Sequence, residues 1–176
     1  MILGYEGAFP VVGNRVFIAE NATIVGNVDI GDDASIWFGS VIRGDVHSIS
    51  IGARSNIQDL CVVHVTNDTW PVKIGEDVTI GHGVIAHGCT IGRGSLIGMG
   101  SRILDGAVIG EECLVGAGAL VTEGMQVPPR KLVLGFPAKV RRDLTEEELQ
   151  KLRQSPLNYV GYKEIYLRDA AGDENR

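Results

Sequence analysis

An aliphatic residue returns at every sixth position over much of this chain. Ile18, Ile24, Ile30, Ile36 and Ile42 form one run, and Ile91, Ile97, Ile103, Ile109, Val115 and Val121 form another. A period of six matches neither the 3.6-residue repeat of a helix nor the strict alternation of an ordinary strand. It matches an all-β solenoid, a parallel β-helix in which each hexad gives one short strand and one corner and three hexads close a triangular coil. Each anchor then points inward from a face. The fourth residue after it is small or apolar, as in Ala22, Val28, Ala34, Ser40, Ser95, Ser101, Ala107, Cys113 and Ala119, and fits a corner. The 24 glycines fall in register with the repeat, often directly after an anchor, so they read as tight corners rather than as low complexity.

The 176 residues suit one domain, with 44% hydrophobic and 22% charged side chains, enough to fill a narrow core. A net charge of −6 without a basic stripe argues against nucleic acid and anionic membranes as partners. No apolar run approaches the roughly 18 residues of a membrane span. The start, Met1 to Glu6, has no basic region followed by an apolar core, so a cytoplasmic location is expected. Three cysteines do not suit a disulfide framework. Cys61 and Cys113 take the small position after an anchor and Cys89 sits near a corner, so all three read as structural.

The period ends at Leu144, giving a β-helix domain over residues 1–144. Thr145-Glu146-Glu147-Glu148 is a capping box, with Leu149 and Leu152 on one face behind it. A helix packed along the solenoid is therefore expected over 145–168, interrupted at Pro156 and resuming through Asn158–Leu167. Residues 169–176 read as a solvated tail.

Two insertions disturb the repeat. Nine positions separate Ile42 from Ile51, and eleven separate Val63 from Ile74, the second insertion containing Thr66-Asn67-Asp68-Thr69-Trp70-Pro71; one residue is missing between Ala86 and Ile91. Insertions in a solenoid bulge out as loops and commonly serve a binding face. With each counted as a swollen hexad, Val63 lies one coil above Ile42, and Ala86 one coil above Val63. Arg43, His64 and His87 directly follow those anchors, so they should form a ladder with steps of about 4.8 Å. By the same count Ile80 lies above Ile57, which puts Gln58, Asp59 and His82 on a different face, with Asn56 opening that run at a corner.

His64 and His87 can then share a metal ion that His82 of the same chain cannot reach. A neighbouring chain can supply His82 if three solenoids pack about a threefold axis, which predicts a homotrimer with metal sites at its subunit interfaces. Three imidazoles and no thiolate suit Zn2+, with Fe2+ or Co2+ as alternatives. Three protein ligands leave a position open to water, whose pKa such a metal lowers from ~15.7 to about 7. Arg43 could hold an anionic product or lock a carboxylate such as Asp45, Gln58 could orient the activated water, and Asp59 could polarise it or pair with arginine. The plain alternative for Arg43 and Asp45 is an intersubunit salt bridge. His47, taken alone, reads as a ring bonded to backbone.

Arg43-Gly44-Asp45, Asn56-Ile57-Gln58-Asp59, His64, Gly81-His82 and His87-Gly88-Cys89 together resemble the γ-class carbonic anhydrases and their ferripyochelin-binding-protein-like and YrdA-like relatives. The resemblance covers nearly the whole chain, from Tyr5 to Tyr166. It implies a left-handed parallel β-helix, a homotrimer, a zinc or iron site shared across the interface, and reversible hydration of CO2 to bicarbonate. It also implies a polar or tyrosine side chain over the site, a place that Tyr159 would take. One departure is visible. The archetypal enzymes carry a longer acidic loop after the first histidine ligand, with a glutamate that shuttles protons, whereas His64 to Pro71 has no glutamate before Glu76. Slow turnover is the expected consequence. Two other readings remain open: a metallohydrolase such as an acyl-CoA thioesterase, and a non-catalytic trimeric metal-binding or scaffold protein. A hexapeptide acyltransferase needs only a lone histidine base and leaves the ladder of histidines unexplained.

Overall fold

The computed structural model describes residues 1–173, with side chains through residue 170. It shows a parallel β-solenoid of about seven turns followed by one helix. Three columns of inward aliphatic residues run along it. One is Ile24, Ile42, Val63, Ala86, Ile103 and Val121, each paired in register with the next. The second is Ile30, Ile51, Ile74, Ile91, Ile109 and Val127. The third is Ile18, Ile36, Ile57, Ile80, Ile97, Val115 and Val133. All but Ile18 are buried. Each buried isoleucine contributes about 1.5–3 kcal/mol by leaving water, so the columns are the main source of stability. Both insertions stay outside them, since Ile42 still pairs with Val63 and Ile51 with Ile74.

Glycine takes corners as expected at Gly83, Gly100, Gly118 and Gly124, where φ lies between 66° and 68°. Glycines that follow anchors are required by close approach rather than by unusual φ; a Cβ at Gly52 would lie 2.5 Å from the Glu76 amide nitrogen of the next coil. One column of left-handed corners instead holds Arg15, Asp33, Arg54, Asp77, Glu112 and Arg130, with φ between 51° and 59°. Opposite charges on successive levels offset part of that strain. Arg15 Nε lies 3.2 Å from Asp33, Arg54 Nε 2.7 Å from Asp77, and Arg130 Nε 2.8 Å from Glu112. Between Asp77 and Glu112 the column has only Gly94, and Arg153 from the helix reaches Glu112 at 2.9 Å.

The helix, α1 (Glu146–Asp173), starts on the expected capping box: Thr145 N donates to Glu148 Oε2 at 2.9 Å and Glu148 N to Thr145 Oγ1 at 3.2 Å. Arg142 and the Thr145 N–H hold the Glu148 carboxyl down to about 2. The helix does not break at Pro156, contrary to expectation. An internal proline forfeits one backbone bond at a cost of roughly 3 kcal/mol, and packing on both sides offsets it. Leu149 and Leu152 rest on Leu96, Leu114 and Leu132, while Tyr159 and Tyr166 meet the Trp37 ring edge-on at 5.4 and 5.3 Å between centroids. Lys163 is wholly buried and donates from Nζ to Arg15 O at 2.8 Å, Asp33 Oδ1 at 3.0 Å and Glu164 Oε1 at 2.6 Å. Because α1 runs to Asp173, residues 169–173 are helical rather than a tail, and 174–176 lie outside the described residues.

Among the described residues no helix is long and apolar enough to cross a membrane. Cys61, Cys89 and Cys113 are buried and unpaired, and burial pushes the Cys61 and Cys89 thiols up to about 11 and about 12.

Candidate metal centre

Arg43, His64 and His87 occupy consecutive rungs of one face, paired Arg43 with His64 and His64 with His87. Each follows an inward anchor, so alternation along the strand turns it outward. The two imidazoles have centroids 5.1 Å apart, and His64 Nδ1 lies 3.1 Å from His87 Nε2. A carboxylate stands behind each ring. Asp45 Oδ1 is 3.1 Å from His64 Nε2, and Asp105 Oδ1 is 2.5 Å from His87 Nδ1.

Asp45 comes from the first insertion and also pairs with Arg43 of the same chain. Burial pushes the Asp45 carboxyl up, and hydrogen bonds from Arg43 and His64 outweigh it, holding it below the usual carboxylate range. At Asp105 burial is likewise outweighed by hydrogen bonds from Thr66 and His87. Asp105 escaped the sequence reading. The missing residue between Ala86 and Ile91 makes the next coil one residue shorter, so Ala86 pairs with Ile103 and counting puts Leu104, not Asp105, above His87.

This donor set fits a metal ion. Each remote nitrogen has a carboxylate to donate to, and in that tautomer the two facing nitrogens would present their lone pairs to a shared cation. Nitrogens bound tetrahedrally at ~2.0–2.1 Å lie about 3.3 Å apart, close to the 3.1 Å observed. Within one chain no three His, Cys, Asp or Glu groups converge among the described residues.

His82 belongs to the third face, where Asn56 and Ile57 pair with Thr79 and Ile80. Its ring is half exposed, with Nδ1 2.7 Å from Asp59 Oδ2. Asn56 is not at a corner as expected; it is a fully buried strand residue whose amide donates to Thr79 Oγ1 at 3.0 Å and whose Oδ1 accepts from Gln58 Nε2 at 3.1 Å. Thr79 Oγ1 in turn lies 3.0 Å from Ser155 Oγ on α1. The buried chain ties Gln58 to the helix. Gln58 and His82 line an open trough of about 340 Å³ with Leu96, Met99 and Leu114. Tyr159 joins Asp59, His82, Trp37, Phe38 and Tyr162 around a second cavity of about 380 Å³. Burial, then the Asp59 charge, pushes the Tyr159 phenol up. The expected site residues thus form two groups on one chain: Arg43, Asp45, His64 and His87 on one face, and Asn56, Gln58, Asp59, His82 and Tyr159 on another. His47 is a ring bonded to backbone, its Nδ1 accepting from Ser48 N at 2.7 Å.

Fold and donor set define a hexapeptide-repeat β-solenoid with paired surface histidines. The repeat family described as bacterial transferase hexapeptide (six repeats) matches residues 9–44, 71–104 and 88–123. YrdA of Escherichia coli (strain K12) is 48% identical over 169 residues, spanning 93% of this chain and 92% of that protein. A carbonic anhydrase of Geobacillus kaustophilus is 46% identical over 166 residues, spanning 94% and 91%. The crystal structure of a hexapeptide transferase family protein from Anaplasma phagocytophilum superimposes with a TM-score of 0.90 at 45% identity, covering 94% of this chain and 97% of that one. The chain belongs to the hexapeptide-repeat family that contains YrdA and the γ carbonic anhydrases.

Proposed function

We propose that this protein is a metal-dependent carbonic anhydrase, hydrating CO2 reversibly to bicarbonate at sites shared between the subunits of a homotrimer. The observation that carries the reading is the His64–His87 pair with a carboxylate behind each ring, while His82 and Asp59 stand on another face. Relatives named carbonic anhydrase support the reaction. His64 and His87 of one chain with His82 of the next would hold Zn2+, or Fe2+ or Co2+, and such an ion supplies a Lewis acid that makes water nucleophilic near neutral pH.

The chain's own residues do the rest. Asp45 holds the His64 ring and Asp59 the His82 ring. Gln58, braced by Asn56, orients the attacking water. Arg43, tied to Asp45, offers a fixed charge to the anionic product. Tyr159 and Trp37 give an apolar wall that keeps bulk water from the reacting carbon.

The cavities beside His82 favour a second reading. Spaces of about 380 and 340 Å³ fall in the range of organic ligands and exceed the needs of CO2. A metallohydrolase such as an acyl-CoA thioesterase would use them.

The deciding experiment joins metal analysis and stopped-flow CO2 hydration on one anaerobically purified sample, with His64→Ala, His82→Ala and His87→Ala alongside. Loss of metal and hydration in all three variants is expected. Full metal content in every variant would sink the site. Metal without hydration, together with turnover of acyl-CoA thioesters, would select the second reading, and metal with neither activity a scaffold.

A further inference from the structure

The second insertion does more than bulge from the coil. Its Thr66 donates from Oγ1 to Asp105 Oδ2 at 2.6 Å, on the opposite side of the carboxylate from His87 Nδ1 at 2.5 Å. Both oxygens are engaged, so the carboxylate cannot turn without losing a partner. With Nδ1 held, Nε2 is the His87 nitrogen left to face His64.

The insertion is itself pinned. Thr66 N donates to Trp70 O at 3.0 Å and Trp70 N to Thr66 O at 3.2 Å, closing the loop on itself. The Trp70 indole then lies over Gly88 and Gly106, the residues that directly follow His87 and Asp105. A Cβ at Gly106 would come within 3.1 Å of indole Cζ2, and one at Gly88 within 2.8 Å of Trp70 Cβ and 2.5 Å of Asp105 Oδ1. Both glycines have positive φ, 53° and 68°, and Gly106 N donates to Gly88 O at 2.8 Å. The Trp70 side chain therefore packs closely on the two glycines that follow His87 and Asp105, and so ties the insertion to the backbone that carries their contact.

We propose that Asp105 is the positioning residue for His87, and that Thr66 and Trp70 make the insertion a brace that aims this imidazole with Nε2 toward the shared site. The inference rests on the metal-site reading above. A loop that merely decorates the surface would leave both the ring tautomer and the metal affinity untouched when it is altered.

The test uses the metal-free full-length protein labelled with 15N-histidine, in which imidazole correlation spectra report the tautomer, followed by Zn2+ competition titration against a chelator. The wild-type His87 ring is expected as the Nδ1–H tautomer. Asp105→Ala should mix the tautomers and weaken Zn2+ binding by roughly 10–100-fold. Asp105→Asn, whose amide oxygen accepts the same bond, should keep the tautomer, and Thr66→Val and Trp70→Ala should each lower affinity by less than Asp105→Ala. An Nε2–H tautomer in the wild-type protein, or unchanged tautomer and affinity in folded Asp105→Ala, overturns the proposal. If the wild-type protein bound no Zn2+, the functional reading would fail, while the spectra would still decide the role of Asp105.

Discussion

His82 and His87 are five residues apart in the chain, yet they leave the solenoid from different faces. His87 stacks in register on His64, while His82 follows the Thr79–Ile80 strand that pairs with Asn56–Ile57 in the other sheet. Proximity in the chain therefore does not bring His82 and His87 to one face, whereas His64 and His87, 23 residues apart, meet.

Subunit complementation follows from that separation. A His64→Ala chain keeps His82, and a His82→Ala chain keeps the His64–His87 pair. Neither alone can build a three-histidine interface. Coexpressed in equal amounts, they should form complete sites at about one quarter of the interfaces of a randomly mixed trimer. Metal per chain measured on the mixture should rise to that fraction of wild type. A mixture no better than either variant alone would count against a shared site.

The buried end of Lys163 is a second point of leverage. It joins the Arg15 carbonyl, Asp33 and Glu164, so Lys163→Met removes three polar links and leaves the helix tied at this level by Glu164 Oε1, 2.7 Å from Arg15 Nη2. Asp33 and Glu164 are 33% and 40% exposed, and water takes over part of the lost pairing. The expected loss is about 1–3 kcal/mol, below that of a fully buried pair. Urea titration measures it, and an unchanged midpoint would show that the Lys163 links contribute nothing to holding the helix.

The three columns were legible because an isoleucine every six residues survives both insertions; the core tolerates no slip, so the outer loops absorb the extra residues. The same counting placed Arg43, His64 and His87 on one ladder. Asn56 was misplaced because asparagine favours turns, whereas its buried amide is satisfied by Gln58 and Thr79, partners that only the folded coil supplies. Pro156 misled in the same way, as local preference yielded to Leu149, Leu152 and Tyr159 packing on either side of it. Asp105 was invisible because one short coil shifts it by a residue. The corner column of Arg54, Asp77 and Glu112 was hidden too, since positive φ is uncommon for such residues.

Acid should release the helix before it unwinds the coil. Lys163 and Arg15 hold Asp33 below its ordinary range; at Glu112 the effect of burial is outweighed by Arg153 and Arg130; and Glu148 is held down to about 2. A carboxyl with a depressed folded pKa stabilises fully above its unfolded value and loses that contribution as pH falls through the folded one. For Glu148 the window runs from 4.5 down to about 2. In a Trp70→Phe background, Trp37 fluorescence should change in this range at a higher pH than the strand signal in circular dichroism. Coincident transitions would refute separate undocking.

Proton release should limit the reaction. Each CO2 hydrated yields one bicarbonate and one proton, which must reach solvent. The loop beyond His64 offers little help: Thr66 is committed to Asp105, and the Asp68 carboxylate accepts from Asn67 Nδ2 at 3.2 Å. Exogenous imidazole should therefore raise kcat by roughly tenfold or more in weak buffer while leaving kcat/KM unchanged, because proton transfer follows CO2 conversion. Asn67→Glu, at an exposed position in the loop, should raise the unbuffered kcat and flatten its response to imidazole. A kcat indifferent to imidazole would place the slow step in CO2 conversion or bicarbonate release, and Asn67→Glu would then change nothing.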